Sequence, residues 1–249
     1  MMKNNFTDKT IGMLMVAATF AMLLGGCVHY DADEFEGKVM PRATGAYTGV
    51  TDDWLYFNLR TGEAFNLSAP NQDITEGDQL KRLDWDIAFC GAHIRTNGGT
   101  SGPGKGAAAD LGFGDYDHWQ GRAQIPGEVK WVEDDTTSVY VTYSQREWYN
   151  YVNTHYLKPD GTPDNDGHPW FDPNRGPARR LTSGNPLLEQ CIKIEGPPMT
   201  YTPSYHVYVI RCADGVRCFK LQVVSWFNQQ SSIDDEGGGQ MSYYIDELK

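Results

Sequence analysis

The sequence predicts an all-β fold, a single domain of mostly antiparallel strands. Short segments rich in aromatic and β-branched residues, bounded by turn formers, recur along the chain. A strong hairpin signal, Asp214-Gly215, joins two of these segments. Apolar helical periodicity does not extend beyond about two turns. The predicted strands are 54–57, 83–89, 138–143, 206–211, 219–227 and 241–245.

The two strands of this hairpin are predicted to be antiparallel, because a two-residue turn reverses the chain. In the second strand Leu221 and Val223 alternate with Lys220 and Gln222. Alternation of this kind predicts one face toward the core and the other toward solvent. An open or partly closed two-sheet arrangement follows from these strands.

The N-terminal residues predict export. Residues 11–24 are apolar, follow Lys3 and Lys9, and are too few to span a bilayer comfortably. They lead into Gly25-Gly26-Cys27, which resembles a bacterial lipobox, in which cleavage precedes a lipid-carrying cysteine. An ordinary signal peptide with an accidental Cys27 is the alternative.

The lipoprotein interpretation divides the chain into three parts. Residues 1–26 are the signal peptide, residues 27–48 are the lipid-attached cysteine and an acidic tether, and residues 49–249 are the β domain. The mature protein is then anchored to the membrane by lipid only. The acidic tether also resembles surface-export signals of outer-membrane lipoproteins, which predicts an outer-membrane, cell-surface location.

Charge argues against nucleic acid as a partner. The formal net charge is -12 and the pI is about 4.8. Nucleic-acid binding needs a concentrated basic face, and the sequence shows none.

Four cysteines remain when Cys27 is assigned to lipid. An even number in an exported chain permits two disulfides with three possible connectivities. No C-x-x-C pair occurs, so we favour disulfides or buried free thiols over zinc. The pairing stays open among Cys90, Cys191, Cys212 and Cys218.

The glycine run 98–106 partly matches a phosphate-binding loop through Gly99, Gly104 and Lys105. Gly106 stands where a magnesium-binding Ser or Thr is needed, and a proline removes one backbone donor. The run is therefore predicted to be a glycine-rich connection between strands.

Residues 158–185 form an insertion rich in proline and glycine. Loops of this length are often functional, and a disordered insertion is the equal alternative.

No catalytic constellation is apparent in the sequence. The histidines are isolated, and no nucleophile-and-base spacing occurs. Asp84 and Asp86 flank Trp85 and suggest a carboxylate pair, but aspartates at strand ends more often bind turn backbone. We therefore predict a binding protein and not an enzyme.

Several motifs together resemble the HmuY family of haem-binding lipoproteins. The run 83–89, followed by 93–97 and the glycine run, resembles the family signature. Residues 54–57 look like its opening strand, and 201–222 look like its closing hairpin. The resemblance covers most of residues 50 to 230, in family order, and implies the family's two-sheet architecture.

The resemblance implies a function as well. Such a lipoprotein captures haem (iron protoporphyrin IX) outside the cell, in the manner of a haemophore. It passes the haem to an outer-membrane transporter, of the TonB-dependent type, and so serves iron acquisition. In this family the iron lies between two axial side chains, histidines or methionines, carried by loops in the second half of the chain.

The candidate axial ligands are Met199, His155 and His168. Met199 precedes the closing hairpin, where the family places its second ligand loop, and the two histidines are candidates for the opposite side. Each has an alternative role: an apolar contact for the methionine, a surface position for the histidines. The predicted pocket aromatics are Trp148, Tyr149, Tyr151 and Trp170.

These aromatics suit a sugar ring as well as a porphyrin. The alternative function is therefore a surface lipoprotein of the same fold that binds a glycan or a protein partner and does not ligate haem.

Overall fold

The computed structural model describes residues 35–41, 54–68, 72–143, 145–230 and 238–249. Within it the chain from Glu36 to Lys249 forms one unit. The predicted signal peptide, Cys27 and most of the tether lie outside the described residues, so the predicted boundaries there stay predictions. Among the described residues no helix is long and apolar enough to cross a membrane.

Strands dominate the described chain, with one α-helix and several short 3₁₀ turns. The strands are β1 (Lys38–Val39), β2 (Leu55–Asn58), β3 (Glu63–Phe65), β4 (Ile87–Cys90), β5 (His93–Thr96), β6 (Ala107–Phe113), β7 (Asp135–Thr142), β8 (Phe171–Asp172), β9 (Gly176–Pro177), β10 (Arg179–Gly184), β11 (Ile192–Glu195), β12 (Thr200–Pro203), β13 (His206–Arg211), β14 (Cys218–Phe227) and β15 (Gly238–Leu248). The helix is α1 (Gln145–His155), and the 3₁₀ turns are Asp78–Lys81, Tyr116–His118, Arg122–Gln124 and Leu188–Gln190.

Two antiparallel sheets form the body of the domain. The smaller has the order β3-β2-β4-β5 and the larger β1-β15-β14-β13-β6. Two-stranded ribbons accompany them: β7 with β10, β11 with β12, and β8 with β9. The predicted all-β class and the two-sheet architecture are confirmed.

The principal core lies between the two sheets. Phe89 of the smaller sheet stacks on Tyr243 of the larger, with ring centroids 5.7 Å apart. Burial of such large apolar side chains is the main favourable term in folding. Other buried members of this core are Leu55, Ile87, Tyr208, Ile210, Leu221, Val223 and Ile245.

The hairpin forms where the sequence predicts it. Arg211 of β13 faces Cys218 of β14 across the turn. The Asp214 carboxylate accepts hydrogen bonds from the backbone N–H groups of Val216 and Arg217, which closes the turn.

The prediction of a solvent-facing side for β14 is wrong. Lys220 and Gln222 are 5% and 8% exposed, because residues 114–131 cover that face of the larger sheet. Lys220 Nζ donates to the Tyr116 carbonyl at 3.0 Å, and Gln222 Nε2 donates to the carbonyls of Gly114 and Tyr205 at 2.9 Å. The alternation of apolar and polar residues in β14 thus indicates two different faces. The polar face is also buried, and its side chains form hydrogen bonds to the segment that covers it.

The sequence analysis found no apolar helical periodicity beyond about two turns and did not predict helix α1, which spans the 11 residues Gln145–His155. Trp148, Tyr151, Val152 and His155 recur at helical spacing, so the periodic signal is present but is aromatic rather than aliphatic.

The insertion 158–185 is structured rather than disordered. Its last part, β10, pairs with β7, and Leu181 faces Tyr140 in the register. Its central part contains the β8–β9 ribbon. Helix α1 and the part of the insertion that precedes β10 therefore connect two strands that pair with each other.

The glycine run connects β5 to β6, as predicted, and a strand rather than a helix follows it. Its backbone packs tightly: a Cβ on Gly98 would lie 2.0 Å from the carbonyl oxygen of Gly106. Asn97 organises the loop, since its Nδ2 donates to the Trp85 carbonyl and its Oδ1 accepts from Gly104 N–H. The close approach of two backbone segments explains why glycines are needed here, and no bound phosphate is required to account for them.

The four cysteines of the β domain are buried thiols that form no disulfide with one another, so the structure favours buried thiols over disulfides. Cys212 belongs to the core between the sheets, whereas Cys218 belongs to the cluster on the opposite face of the larger sheet. A disulfide between these two would require one of them to cross the sheet.

Candidate functional site

Helix α1 and the segment after it build a cluster of stacked rings. Trp148 and Tyr151 of α1 stack with centroids 5.8 Å apart, and Tyr143 lies 5.2 Å from Trp148. Tyr156, just beyond the helix, contacts both α1 rings at 5.8 and 6.2 Å. We call this set of rings the aromatic cluster. Its members are Tyr143, Trp148, Tyr151, His155, Tyr156, His168 and Trp170.

The aromatic cluster contains both candidate histidines. His155 stacks on Tyr151, with centroids 3.9 Å apart and planes 11° apart. His168 stacks on Tyr156 in the same way, at 3.8 Å and 12°. The two histidines thus belong to one series of contacting rings, in which Tyr151 and Tyr156 lie between them.

The tautomer of His155 follows from its hydrogen bonds. Its Nδ1 lies 2.9 Å from the Tyr151 carbonyl oxygen, which can only accept. With Nδ1 as the donor, both this contact and the one to Thr154 Oγ1 at 2.7 Å are satisfied, and Nε2 of the neutral ring then presents a lone pair. A backbone carbonyl on Nδ1 is the usual arrangement of a metal-binding imidazole.

Indole hydrogen bonds tie the insertion to this helix. Trp148 Nε1 donates to the His168 carbonyl at 2.9 Å, and Trp170 Nε1 donates to the Tyr143 carbonyl at 2.8 Å. The same two tryptophans thus contribute flat surface and anchor the backbone around His168.

Tyr143 also lies under a positive charge. The guanidinium carbon of Arg180, on β10, is 5.7 Å from the centre of the Tyr143 ring. A cation at the edge of an aromatic surface favours ligands that combine a flat body with a negative charge.

Tyr149 is half-buried on α1, between Trp148 and the rest of the helix. Its predicted place in the pocket stays a prediction. Sequence reasoning did not assign Tyr143 to the pocket, because it was read as the end of a strand. The helical spacing of the aromatics was the signal that could have placed α1 correctly.

Met199 lies apart from the aromatic cluster in the fold. It is 59% exposed, at the turn between β11 and β12, and belongs to a separate two-stranded sheet. The next ring along β12, Tyr201, stacks on Trp226 of β14 at 5.0 Å. Ligation by Met199 stays a prediction.

Three other histidines have structural surroundings. His93 Nδ1 lies 2.7 Å from Glu189, and His206 Nδ1 lies 2.9 Å from Asp110. His118 packs edge-on against the neighbouring Trp119. His93 and His206 thus each pair with a carboxylate.

The aspartates around Trp85 bind backbone and arginine. Asp86 is fully buried and accepts hydrogen bonds from the N–H groups of Leu59 and Ala213. Asp84 pairs with Arg82 at 2.6 Å. Asp86 therefore fastens two turns together, as expected for a structural aspartate.

A buried carboxylate anchors the base of the β7–β10 ribbon. Asp134 accepts from both Thr96 N–H and Thr96 Oγ1, and from Nδ2 of Asn185, at 2.7–2.9 Å. Burial raises its pKa to about 6, although these donors oppose the rise. The ribbon that carries the aromatic cluster is thus joined to the smaller sheet by a polar, buried clamp.

A second buried group supports the same ribbon. The fully buried Arg95 lies 3.9 Å above the Trp54 ring and pairs with Glu76 at 3.1 Å. Glu76 in turn accepts from Thr182 of β10. Burial alone would raise the pKa of Glu76, but the charge and hydrogen bonds of Arg95, the charge of Arg180 and the Thr182 hydroxyl together outweigh it and lower that pKa.

Within the described part of the chain, no three His, Cys, Asp or Glu side chains gather into a metal-binding group.

The molecule is a β-sheet protein with two packed antiparallel sheets. The segment between β7 and β10 carries its aromatic cluster, which includes two imidazoles. The chain belongs to the HmuY family, whose model, described as HmuY protein, matches residues 50–244. The resemblance found in the sequence is confirmed. No curated protein matches the chain.

Solved structures share this fold at low identity. Apo PinO from Porphyromonas gingivitis has 15% identity and a TM-score of 0.51, with 85% of this chain and 97% of that chain covered. An apo HmuY analog from Tannerella forsythia has 16% identity and a TM-score of 0.49, with 86% and 95% covered. An HmuY-like heme binding protein from Bacteroides vulgatus has 20% identity and a TM-score of 0.45, with 76% and 82% covered.

Proposed function

We propose that this protein is a lipid-anchored, haemophore-like haem-binding protein of the outer membrane. Signal residues 1–26 are removed, Cys27 carries the lipid, and the acidic tether holds the β domain at the cell surface. The domain then captures haem for iron acquisition. Membership in the HmuY family supports this function, and so does the name of the Bacteroides vulgatus relative.

The stacking of His155 and His168 within one aromatic cluster carries the proposal. Imidazole is a common axial ligand of haem iron. Here each imidazole is held flat against a tyrosine face, and the Nε2 lone pair of His155 is available because Nδ1 is committed to backbone. The residues present therefore fit an iron porphyrin.

The rings beside these histidines suit the rest of the porphyrin. Trp148, Tyr151 and Trp170 offer flat apolar surface, and Arg180 adds a positive charge near Tyr143. Haem is flat, apolar over most of its area and negatively charged at its carboxylates, so both features contribute to binding.

We assign His155 and His168 as the first pair of axial ligands to test. Met199 is the alternative partner for either histidine, and thioether would give the iron a different reduction potential. The bound haem would then pass to a TonB-dependent outer-membrane transporter. The protein acts by binding and transfer and not as an enzyme.

Haemin titration tests the proposal. Haemin is added to the purified protein, oxidised and then reduced, and the Soret band is followed. We expect a sharpened, shifted band, and at least about a tenfold loss of affinity in His155→Ala and in His168→Ala. Met199→Ala is measured in parallel. His206→Ala is the matched control, because that histidine lies on β13 and pairs with Asp110 of β6.

Two results would count against the assignment. If neither histidine variant changes the spectrum but Met199→Ala does, the ligand pair includes the methionine. If the wild-type protein leaves the haemin spectrum featureless, the result favours the alternative function. In that function the same surface binds a glycan or a protein partner and does not ligate haem.

A further inference from the structure

A cavity of about 560 Å³ lies on the larger sheet, away from the aromatic cluster. It opens between the β13–β14 hairpin and residues 122–131, the segment that covers this face of the sheet. Its volume is in the range of small-molecule sites. The side chains that give its lining positive charge, apolar surface and a thiol are those of Arg122, Ile125, Val129, Trp131, Arg211 and Cys218.

Two arginines line this cavity together with apolar side chains. Arg211 is fixed in place: its Nε donates to the Lys105 carbonyl at 2.7 Å, and its guanidinium carbon lies 4.9 Å from the Trp131 ring centre. Arg122 is exposed, and its backbone N–H donates to the Lys249 carbonyl, which positions its main chain at the edge of the cavity. A side chain that is already fixed, as that of Arg211 is, loses little freedom when it binds a ligand.

Both arginines line the cavity together with Cys218, which is 3% exposed. Burial raises the pKa of the Cys218 thiol, and the positive charges of Arg122 and Arg211 oppose that rise. Two positive charges therefore belong to the lining of one cavity.

This concentration of positive charge contrasts with the chain as a whole, whose net charge is -12. Lys105 adds a further cation, since its side chain packs over Gly215 in the cavity wall. The acid nearest to Arg211 is Glu133, at 3.7 Å and 62% exposed. A partly solvated pair of this kind is weak and leaves most of the arginine's charge uncompensated.

We propose that this cavity binds a small organic carboxylate with an apolar body. The arginines would hold the carboxylate, and Ile125, Val129 and Trp131 would cover the apolar part. A single negative charge suits the site better than a phosphate, because Glu133 stands near Arg211 and would repel a second charge. The site is independent of haem binding.

Titration calorimetry with benzoate on the purified protein tests this inference, with benzamide as the neutral isostere and phenyl phosphate as the dianion. We expect benzoate to bind and benzamide to bind at least about tenfold more weakly, because a charge-assisted hydrogen bond is lost. Arg122→Gln should weaken benzoate binding by about the same factor. Higher ionic strength should weaken it further.

Arg217→Gln is the matched control, since Arg217 is an exposed arginine of the same hairpin whose Nη1 donates to the Arg60 carbonyl. It should change benzoate affinity less than about twofold. Equal binding of benzoate and benzamide, stronger binding of phenyl phosphate, or no effect of Arg122→Gln would each overturn the inference.

Discussion

The imidazole of His168 lies flat on the ring of Tyr156, with centroids 3.8 Å apart and planes 12° apart. One partner comes from the turn after α1 and the other from the insertion, so the stack sets the position of a candidate ligand relative to the helix. The same relationship recurs between His155 and Tyr151. In both cases a tyrosine supports an imidazole.

Removal of the Tyr156 ring should therefore weaken haem binding. Aromatic stacking contributes about 0.5–1.5 kcal/mol, so we expect haemin affinity to fall about threefold to tenfold in Tyr156→Ala. Tyr156→Phe keeps the ring and should bind nearly as the wild type does. Absorbance titration measures both. An equal loss in Tyr205→Ala, at an exposed tyrosine elsewhere, would show that the effect is not local.

The glycine run should tolerate no side chain at Gly98. A Cβ there would lie 2.0 Å from the Gly106 carbonyl oxygen, which belongs to backbone and cannot move aside. We expect Gly98→Ala to lower the free energy of unfolding by at least about 3 kcal/mol. At Gly127 a Cβ meets nothing within 4 Å. Gly127→Ala should thus stay within about 0.5 kcal/mol of the wild type in denaturant unfolding.

Stability should depend on pH through Asp134. Burial raises its pKa from 3.8 to about 6, so the folded protein favours the protonated acid. The stability from this group is present below about pH 4 and is lost as pH rises through about 6. Relative to Asp134→Asn, the wild type should lose about 3 kcal/mol of unfolding free energy between pH 3.5 and pH 7. Parallel pH profiles for the two proteins would contradict this.

Lys220 should be essential to the cover of the larger sheet. Its Nζ donates to the Tyr116 carbonyl and lies 3.9 Å from the Tyr116 ring centre, while the side chain is 5% exposed. Lys220→Ala leaves a buried carbonyl without its donor, so we expect a loss of at least about 2 kcal/mol in unfolding free energy. Limited proteolysis should also cut residues 114–131 faster.

Lys193 provides the control for this prediction. It is largely exposed and pairs with Glu195 at the surface. Lys193→Ala should change stability by less than about 0.5 kcal/mol. Equal effects of the two substitutions would mean that residues 114–131 do not depend on the buried lysine.

Much of the fold could be predicted because its signals are local. The strand His206–Arg211 has the predicted limits, and β14 begins one residue before its predicted start. The turn at Asp214-Gly215 needs only two residues to specify it. By contrast, the predicted strand 83–89 begins only at Ile87, because the Asp86 carboxylate accepts hydrogen bonds from the backbone N–H groups of two distant turns.

The candidate site was predictable in part. The sequence presented His155, His168 and their aromatic neighbours as members of two separate stretches, with Met199 as a third. It did not show that α1 and the insertion fold onto each other, because that contact depends on pairing between β7 and β10 across many residues. The hydrogen bond from Trp148 to the His168 carbonyl is a product of that pairing.

The sequence by itself determined the β class, the closing hairpin, the glycine-rich connection and the family resemblance, since each rests on residues near one another in the chain. Only the tertiary structure decided which polar residues are buried and which rings surround the two histidines. Lys220 is buried because residues 114–131 cover the sheet, and α1 contacts the His168 backbone because two distant strands pair. Burial and convergence are properties of the assembled chain, which no short segment specifies.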